Sequence, residues 1–286
     1  MLSVKKDAVN TTVVVMTPKT PVKRKLKVMH WISPNSVRNQ STEILLICAW
    51  IGMMVFAWIS FGAKYLPSPM EVIQAFPVLW FQEGMGIRLW DSMQLNLTSI
   101  AIMFSISYPL SILSVTPAGA ALAKIVSLGR FNGFVGLPIV FMSVFHSHAD
   151  VKVALLVFGM GVFTVLSLTK MIENIPKDLF DHSRTLRMSE WRVVWEVVVL
   201  GTMDQVIDII AVNVAMGWMM LPMVEGRFRD EGGIGAMMEI ENKYLKLDRV
   251  FCALFVIMLI GFFQDAVIKY IKKLACPYAS LGMERS

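Results

Sequence analysis

Charge is scarce in this 286-residue sequence. Only 17% of residues are Asp, Glu, Lys or Arg, where soluble domains carry about 25%. With 56% hydrophobic residues, 22 Met and a mean hydropathy of +0.61, that shortage argues against a soluble enzyme and predicts a multi-spanning membrane protein. Cysteine is scarce too. Cys48 and Cys252 lie in apolar runs and Cys276 in a basic tail, so neither a disulfide framework nor a paired-cysteine metal site is expected. Gly-x-x-x-x-Gly-Lys-Ser/Thr, Gly-x-Ser-x-Gly and His-Glu-x-x-His are all missing. The chain therefore reads as neither an ATPase nor a hydrolase, with no catalytic and no metal residues expected. The opening has no apolar core followed by a small-residue cleavage site, so it does not read as a signal peptide.

What is present is a series of apolar runs, each about the length that crosses a bilayer as a helix. The expected fold is all-α, with about six spans at 44–62, 95–115, 131–145, 151–171, 199–224 and 250–268. They form a membrane domain over 44–276, flanked by a basic tail (1–43) and a short C-terminal tail (277–286). Trp50 and Trp58 are expected toward the ends of the first span. After it, Ser68 and Pro69 open a short amphipathic helix whose apolar face is Val72, Ile73, Phe76, Leu79 and Trp80. Asn96, Thr98, Ser99, Ser105 and Ser107 recur through the second span, as in helices that pack closely in lipid. Pro109 and Pro117 are expected to bend or end it.

The net charge of +6 suggests nucleic acid at first sight, but its distribution follows a membrane topology. Lys23, Arg24, Lys25, Lys27, Lys124, Arg130, Lys177, Arg184, Arg187, Lys269, Lys272 and Lys273 fall on one side of a six-span arrangement. On the other side acids nearly balance the cations. Both termini are therefore expected in the cytoplasm, with the tail against anionic lipid. No aromatic residues interleave the basic cluster as a base-stacking surface requires, so no nucleic-acid partner is expected.

Between the fourth and fifth runs lies a polar stretch, 173–192, long enough for one or two short helices. Leu179, Phe180, Leu186 and Met188 are its apolar anchors for a partner groove, and Asp181 and Arg184 are spaced to pair within one helix. The order Asp181-His182-Ser183, then Arg184, Leu186 and Ser189, resembles the cytoplasmic loop of permease subunits of ATP-binding-cassette importers. The similar branch handles nitrate, sulfonate, taurine or bicarbonate. That loop carries Glu-Ala-Ala, Arg-x-Leu-Gly-Ala-Ser and a later Leu-Pro. Leu66-Pro67-Ser68-Pro69, Leu137-Pro138-Ile139, Glu225 and Gly233-Ile234-Gly235 also resemble that branch in order and spacing.

The resemblance implies a permease of the inner (cytoplasmic) membrane with an ATPase docked on residues 179–189. It also implies a second permease copy and an external solute-binding protein. No cofactor is implied on this chain, because ATP and Mg²⁺ belong to the ATPase. Glu225, Gly233 and Gly235 would shape the outer loop. Three departures stand out: Arg187 replaces the motif glycine, Met188 an alanine, and Gly201 the proline of Leu-Pro. Arginine takes a positive backbone dihedral less easily than glycine, so an altered turn is expected, and a permease-like chain without a motor is one reading. Asp204, Asp208, Asn213 and Asn96 are candidates for the translocation path, although acids would repel an anion. His146, His148 and Asp150 have metal-like spacing and support an alternative reading as a metal-dependent membrane enzyme or sensor.

Overall fold

The computed structural model describes residues 40–62, 66–132 and 135–277. Most of the basic tail, including its densest cluster at 23–27, and residues 278–286 lie outside the described residues. All regular structure among the described residues is helical.

The helix α1, Gln40–Gly62, belongs through Trp58 to a unit of its own. Its large side chains are exposed on every side, Ile44, Trp50, Met54 and Phe56 among them. Such a helix is satisfied by lipid and not by water. Trp50 falls in the middle of the helix, not toward an end, and only Trp58 is near one.

The second unit starts at Ile59. Its first helix, α2 (Pro69–Phe81), opens with the expected cap. Ser68 Oγ accepts from Glu71 N at 3.3 Å, and Ser68 N donates to Glu71 Oε2 at 2.9 Å, which satisfies two otherwise free amides. Its buried face is Val72, Ala75 and Leu79, whereas Ile73, Phe76 and Trp80 are exposed. The predicted face is thus too broad.

Four long helices follow among shorter ones: α3 (Met85–Leu113), α6 (His148–Glu173), α9 (Met203–Arg227) and α11 (Leu247–Ala275). With α1 they make five helices, among the described residues, long and apolar enough to cross a membrane. α3 packs on α6, α6 on α9, and α11 on α2 and α9. The buried stripe of α3 is Ser92, Asn96, Ser99, Met103, Ser107 and Ser111, at steps of three and four. A core of this kind suits lipid, where small and hydroxyl residues let helices approach closely. Gly161 on α6 faces Ser107 and Met103, and Gly217 on α9 faces Asn96 and Met160. Thr98 and Ser105 are exposed instead, and bond back to Gln94 O and Ala101 O.

The third predicted span, 131–145, is not one helix. The chain forms α4 (Pro117–Leu128), a 3-10 turn (Gly129–Phe131) and α5 (Leu137–Val144). At 1.5 Å per residue neither helix alone reaches across about 30 Å of hydrocarbon. Pro117 begins α4, capped by Thr116 Oγ1 accepting from Gly119 N at 3.1 Å. Pro109 lies inside α3 without ending it. Pro138 sits in the first turn of α5, where a missing N–H costs nothing.

Candidate functional site

The polar stretch folds into α7 (Lys177–Thr185) and a short helix α8 (Glu190–Val193), which runs on as a π-helix, Val194–Leu200. Arg184 staples the two short helices. Its guanidinium donates to both carboxylate oxygens of Glu190 at 3.1 Å and to Asp181 Oδ1 at 3.3 Å. The fork geometry of arginine makes that pairing two-pronged. The Glu190 carboxyl is held below the usual carboxylate range by this hydrogen bond, and the Arg184 guanidinium is pushed further up by the same contact. The Asp181–Arg184 pair is the one the spacing predicts.

Arg187 has φ of +56°, and its N–H donates to Arg184 O at 2.9 Å. The left-handed turn that a glycine favours is therefore kept, against the expectation of an altered turn. Arginine adopts it at a cost of about 1–2 kcal/mol. Ser183 is buried, with its hydroxyl on Leu179 O at 2.9 Å. Ser189 caps α8 in extended conformation but makes no side-chain cap bond. Leu179 and Leu186 are exposed, Phe180 and Met188 half-buried, and His182 exposed. The sequence reading missed Trp191 and Trp195, which are 65% and 58% exposed beside this surface. Two tryptophans four apart in a polar stretch were the available signal.

Gly201 ends the π-helix. Its N–H reaches Glu196 O at 3.0 Å, and a Cβ there would sit 2.5 Å from Val197 O. A proline has no N–H to give this bond. Glycine thus interrupts the helix by a wide turn where proline would do so by a lost donor, and α9 restarts at Met203.

At the opposite end of α9 the three outer-loop residues come together. Glu225 is 1% exposed. Its Oε1 accepts from Ser92 Oγ at 2.7 Å and its Oε2 from Gly235 N at 2.8 Å. Ser92 Oγ in turn accepts from Ile234 N at 2.9 Å. The carboxylate and Ser92 therefore cap α10 (Ile234–Lys243) together, Glu225 taking the Gly235 amide and Ser92 Oγ the Ile234 amide of its first turn. Gly233 has φ of +103°, and any Cβ on it would collide with the Glu225 carboxylate. Gly235 lies against the Pro222 backbone. Two contributors were missed by sequence reasoning: Ser92, and Lys152, a buried side chain whose Nζ donates to Gly232 O at 3.3 Å.

The path candidates are dispersed. Asp204 is half-buried in the first turn of α9. Asp208 is exposed and bonded to Lys272 Nζ at 2.6 Å. Asn213 is buried, with Nδ2 on Ile209 O at 2.8 Å and Oδ1 unpartnered. Asn96 is fully buried against Gly217, with neither amide atom hydrogen-bonded. His146, His148 and Asp150 do not converge. His146 and Asp150 are exposed, while His148 Nδ1 meets Asp230 Oδ2 at 2.5 Å, from a turn 82 residues on.

Comparisons with known proteins agree with this arrangement. A family model described as binding-protein-dependent transport system inner membrane component matches residues 44–274. The taurine transport system permease protein TauC of Escherichia coli (strain K12) is 21% identical over 266 residues, covering 89% of this chain and 94% of its own. Two solved structures of the MetNI methionine ABC transporter in inward facing conformations share the fold at 15% identity. The SeMet soak crystal form gives a TM-score of 0.58 over 69% of this chain and 97% of that one. The native crystal form gives 0.56 over 71% and 97%.

Proposed function

The chain belongs to the family of binding-protein-dependent transport system inner membrane components, and from that premise we propose that it carries a small sulfonate-like anion inward, driven by an ATPase docked on residues 177–195. It is a multi-pass permease subunit of an importer, not itself an enzyme, and works with an ATPase and a solute-binding protein. ATP hydrolysis and its Mg²⁺ then fall to the ATPase.

The observation that carries the docking reading is the surface around the Arg184 staple. Leu179, Leu186, Trp191 and Trp195 are all exposed there, on a polar turn that joins two spanning helices. Apolar anchors with charges beside them fit a protein groove better than water. Arg184, Asp181 and Glu190 hold α7 and α8 as one handle. A force on that handle reaches α6 and α9 directly, and those two helices pack against each other and against α3. Transport requires that the motor bind one arrangement of these helices more tightly than the other. Because the Arg187 turn is kept, nothing at that position favours a chain without a motor.

The substrate class comes from the taurine permease relative. The path itself would lie on surfaces closed by a second copy. Asn96 and Asn213, inside the bundle, then serve packing, Asp208 is engaged by Lys272, and Asp204 is left near the cytoplasmic mouth. The Lys and Arg distribution supports a reading with both termini in the cytoplasm.

The test is co-purification in detergent after co-expression with the candidate ATPase. Native protein is expected to retain the ATPase, and Leu179→Asp/Leu186→Asp to lose it while eluting as a folded species. Native protein that holds no ATPase, or a variant that holds it equally, would sink the docking reading.

A further inference from the structure

One group of side chains on the outer turn has no part in the transport reading. His148 opens α6, and Asp230 and Glu231 lie in the 3-10 turn after α9. The ligand-bearing atoms of all three fall within 4.8 Å of one another. We propose that His148, Asp230 and Glu231 bind a divalent transition-metal cation, with Zn²⁺ as its probe, on the outer face of the protein.

One imidazole nitrogen and two carboxylate oxygens are the donor types that such ions take. A tetrahedral ion with bonds near 2.0–2.2 Å needs donors roughly 3.3 Å apart. The His148–Asp230 pair must open slightly from 2.5 Å to admit the ion. The backbone beneath is already fixed. The Phe228 ring lies against the His148 ring with centroids 5.3 Å apart. Lys152 holds Gly232 O, and Gly232 and Gly233 take positive φ at the end of the turn. The Lys152 ammonium is the opposing charge, acting on both acids, but it is buried and committed to the Gly232 carbonyl. With three protein ligands, the fourth position faces the outer solution. His146 and Asp150, grouped with His148 by spacing, are outside the set. Its other two members come from about 80 residues further on. A bound ion would therefore tie the start of α6 to the turn that Glu225 caps.

This inference stands independently of the substrate and of the ATPase. The full-length protein, purified in detergent through a tag without histidine, would be dialysed against Zn²⁺ and the metal counted per chain by mass spectrometry. One Zn²⁺ per chain is expected for native protein and for His146→Ala. Loss of that stoichiometric ion is expected in His148→Ala and in Asp230→Asn/Glu231→Gln. Co²⁺ should give visible absorption bands lost in the same two variants. Native protein without stoichiometric metal, or retention of metal by the double variant, overturns the site. The double variant decides the matter if His148→Ala does not fold, because both its side chains are exposed.

Discussion

At Arg187 two small terms compete. The left-handed conformation costs arginine about 1–2 kcal/mol, and the greater unfolded-state freedom of glycine takes back about 0.4–1 kcal/mol. Arg187→Gly should therefore be neutral to about 1.6 kcal/mol stabilising, whereas Arg187→Val, a β-branched residue at positive φ, should lower the thermal midpoint. Equal midpoints for valine and arginine would mean the turn is not left-handed. Gly217 poses a packing question. A Cβ there would lie 2.5 Å from Asn96 Oδ1 and 2.9 Å from Met160 Sδ. Gly217→Ala should cost about 1–3 kcal/mol, and Asn96→Ala in the same chain should restore part of it. Additive losses in that four-variant cycle would show that the two residues do not meet. The sequence marks Asn96 as polar within a span but cannot say what it faces, since a partner 121 positions away leaves no local trace.

The α3 stripe and the Glu225 cap show which elements were legible. Of the polar residues that mark this span in the sequence, Asn96, Ser99 and Ser107 lie on the buried stripe, whereas Thr98 and Ser105 do not. Glu225, Gly233 and Gly235 lie near enough in sequence to suggest one turn, and the structure closes them into one cap. Ser92 and Lys152 were not legible as members, because they come from α3 and α6 and look locally like ordinary helix residues. Glu225 accepts at both oxygens. Glutamine offers one acceptor, and its amide would face a donor, leaving one buried group unsatisfied at about 1–3 kcal/mol. Glu225→Gln should therefore speed hydrogen exchange across residues 228–237 while the middle of α6 stays protected. Unchanged exchange there would show that the carboxylate does not hold α10. The third span was misread for a related reason. The run 131–145 has the composition of a crossing helix, but Gly136 and Pro138 interrupt it, so that it carries only the 8-residue α5, and the 12-residue α4 lies before it.

At the scale of the whole molecule, two contacts decide which helix ends share a side. Ser92 near the start of α3 meets Glu225 near the end of α9, and His148 at the start of α6 meets Asp230 just after α9. α3 and α6 therefore begin on the same side of the bilayer. The chain leaves α3 on the far side and must return before His148, so α4, the 3-10 turn and α5 together make a crossing that no single helix provides. A 26-residue α6 spans about 39 Å and carries the chain across again to the Arg184 handle. α9 then brings it back. Among the described residues five helices are long and apolar enough to cross a membrane, and the sixth expected run is the one that is not a single helix. The order of crossings also fixes a prediction that the charge distribution makes by a separate route. In a background with Cys48, Cys252 and Cys276 replaced, Asp178→Cys should react with an impermeant thiol reagent only in inside-out vesicles. Lys243→Cys, in the last turn of α10, should react only in intact, outer-permeabilised cells. Labelling of both from one side would break the link between the contacts and the crossings. Labelling in the reverse pattern would keep the crossings and invert the molecule, moving the handle away from any cytoplasmic ATPase.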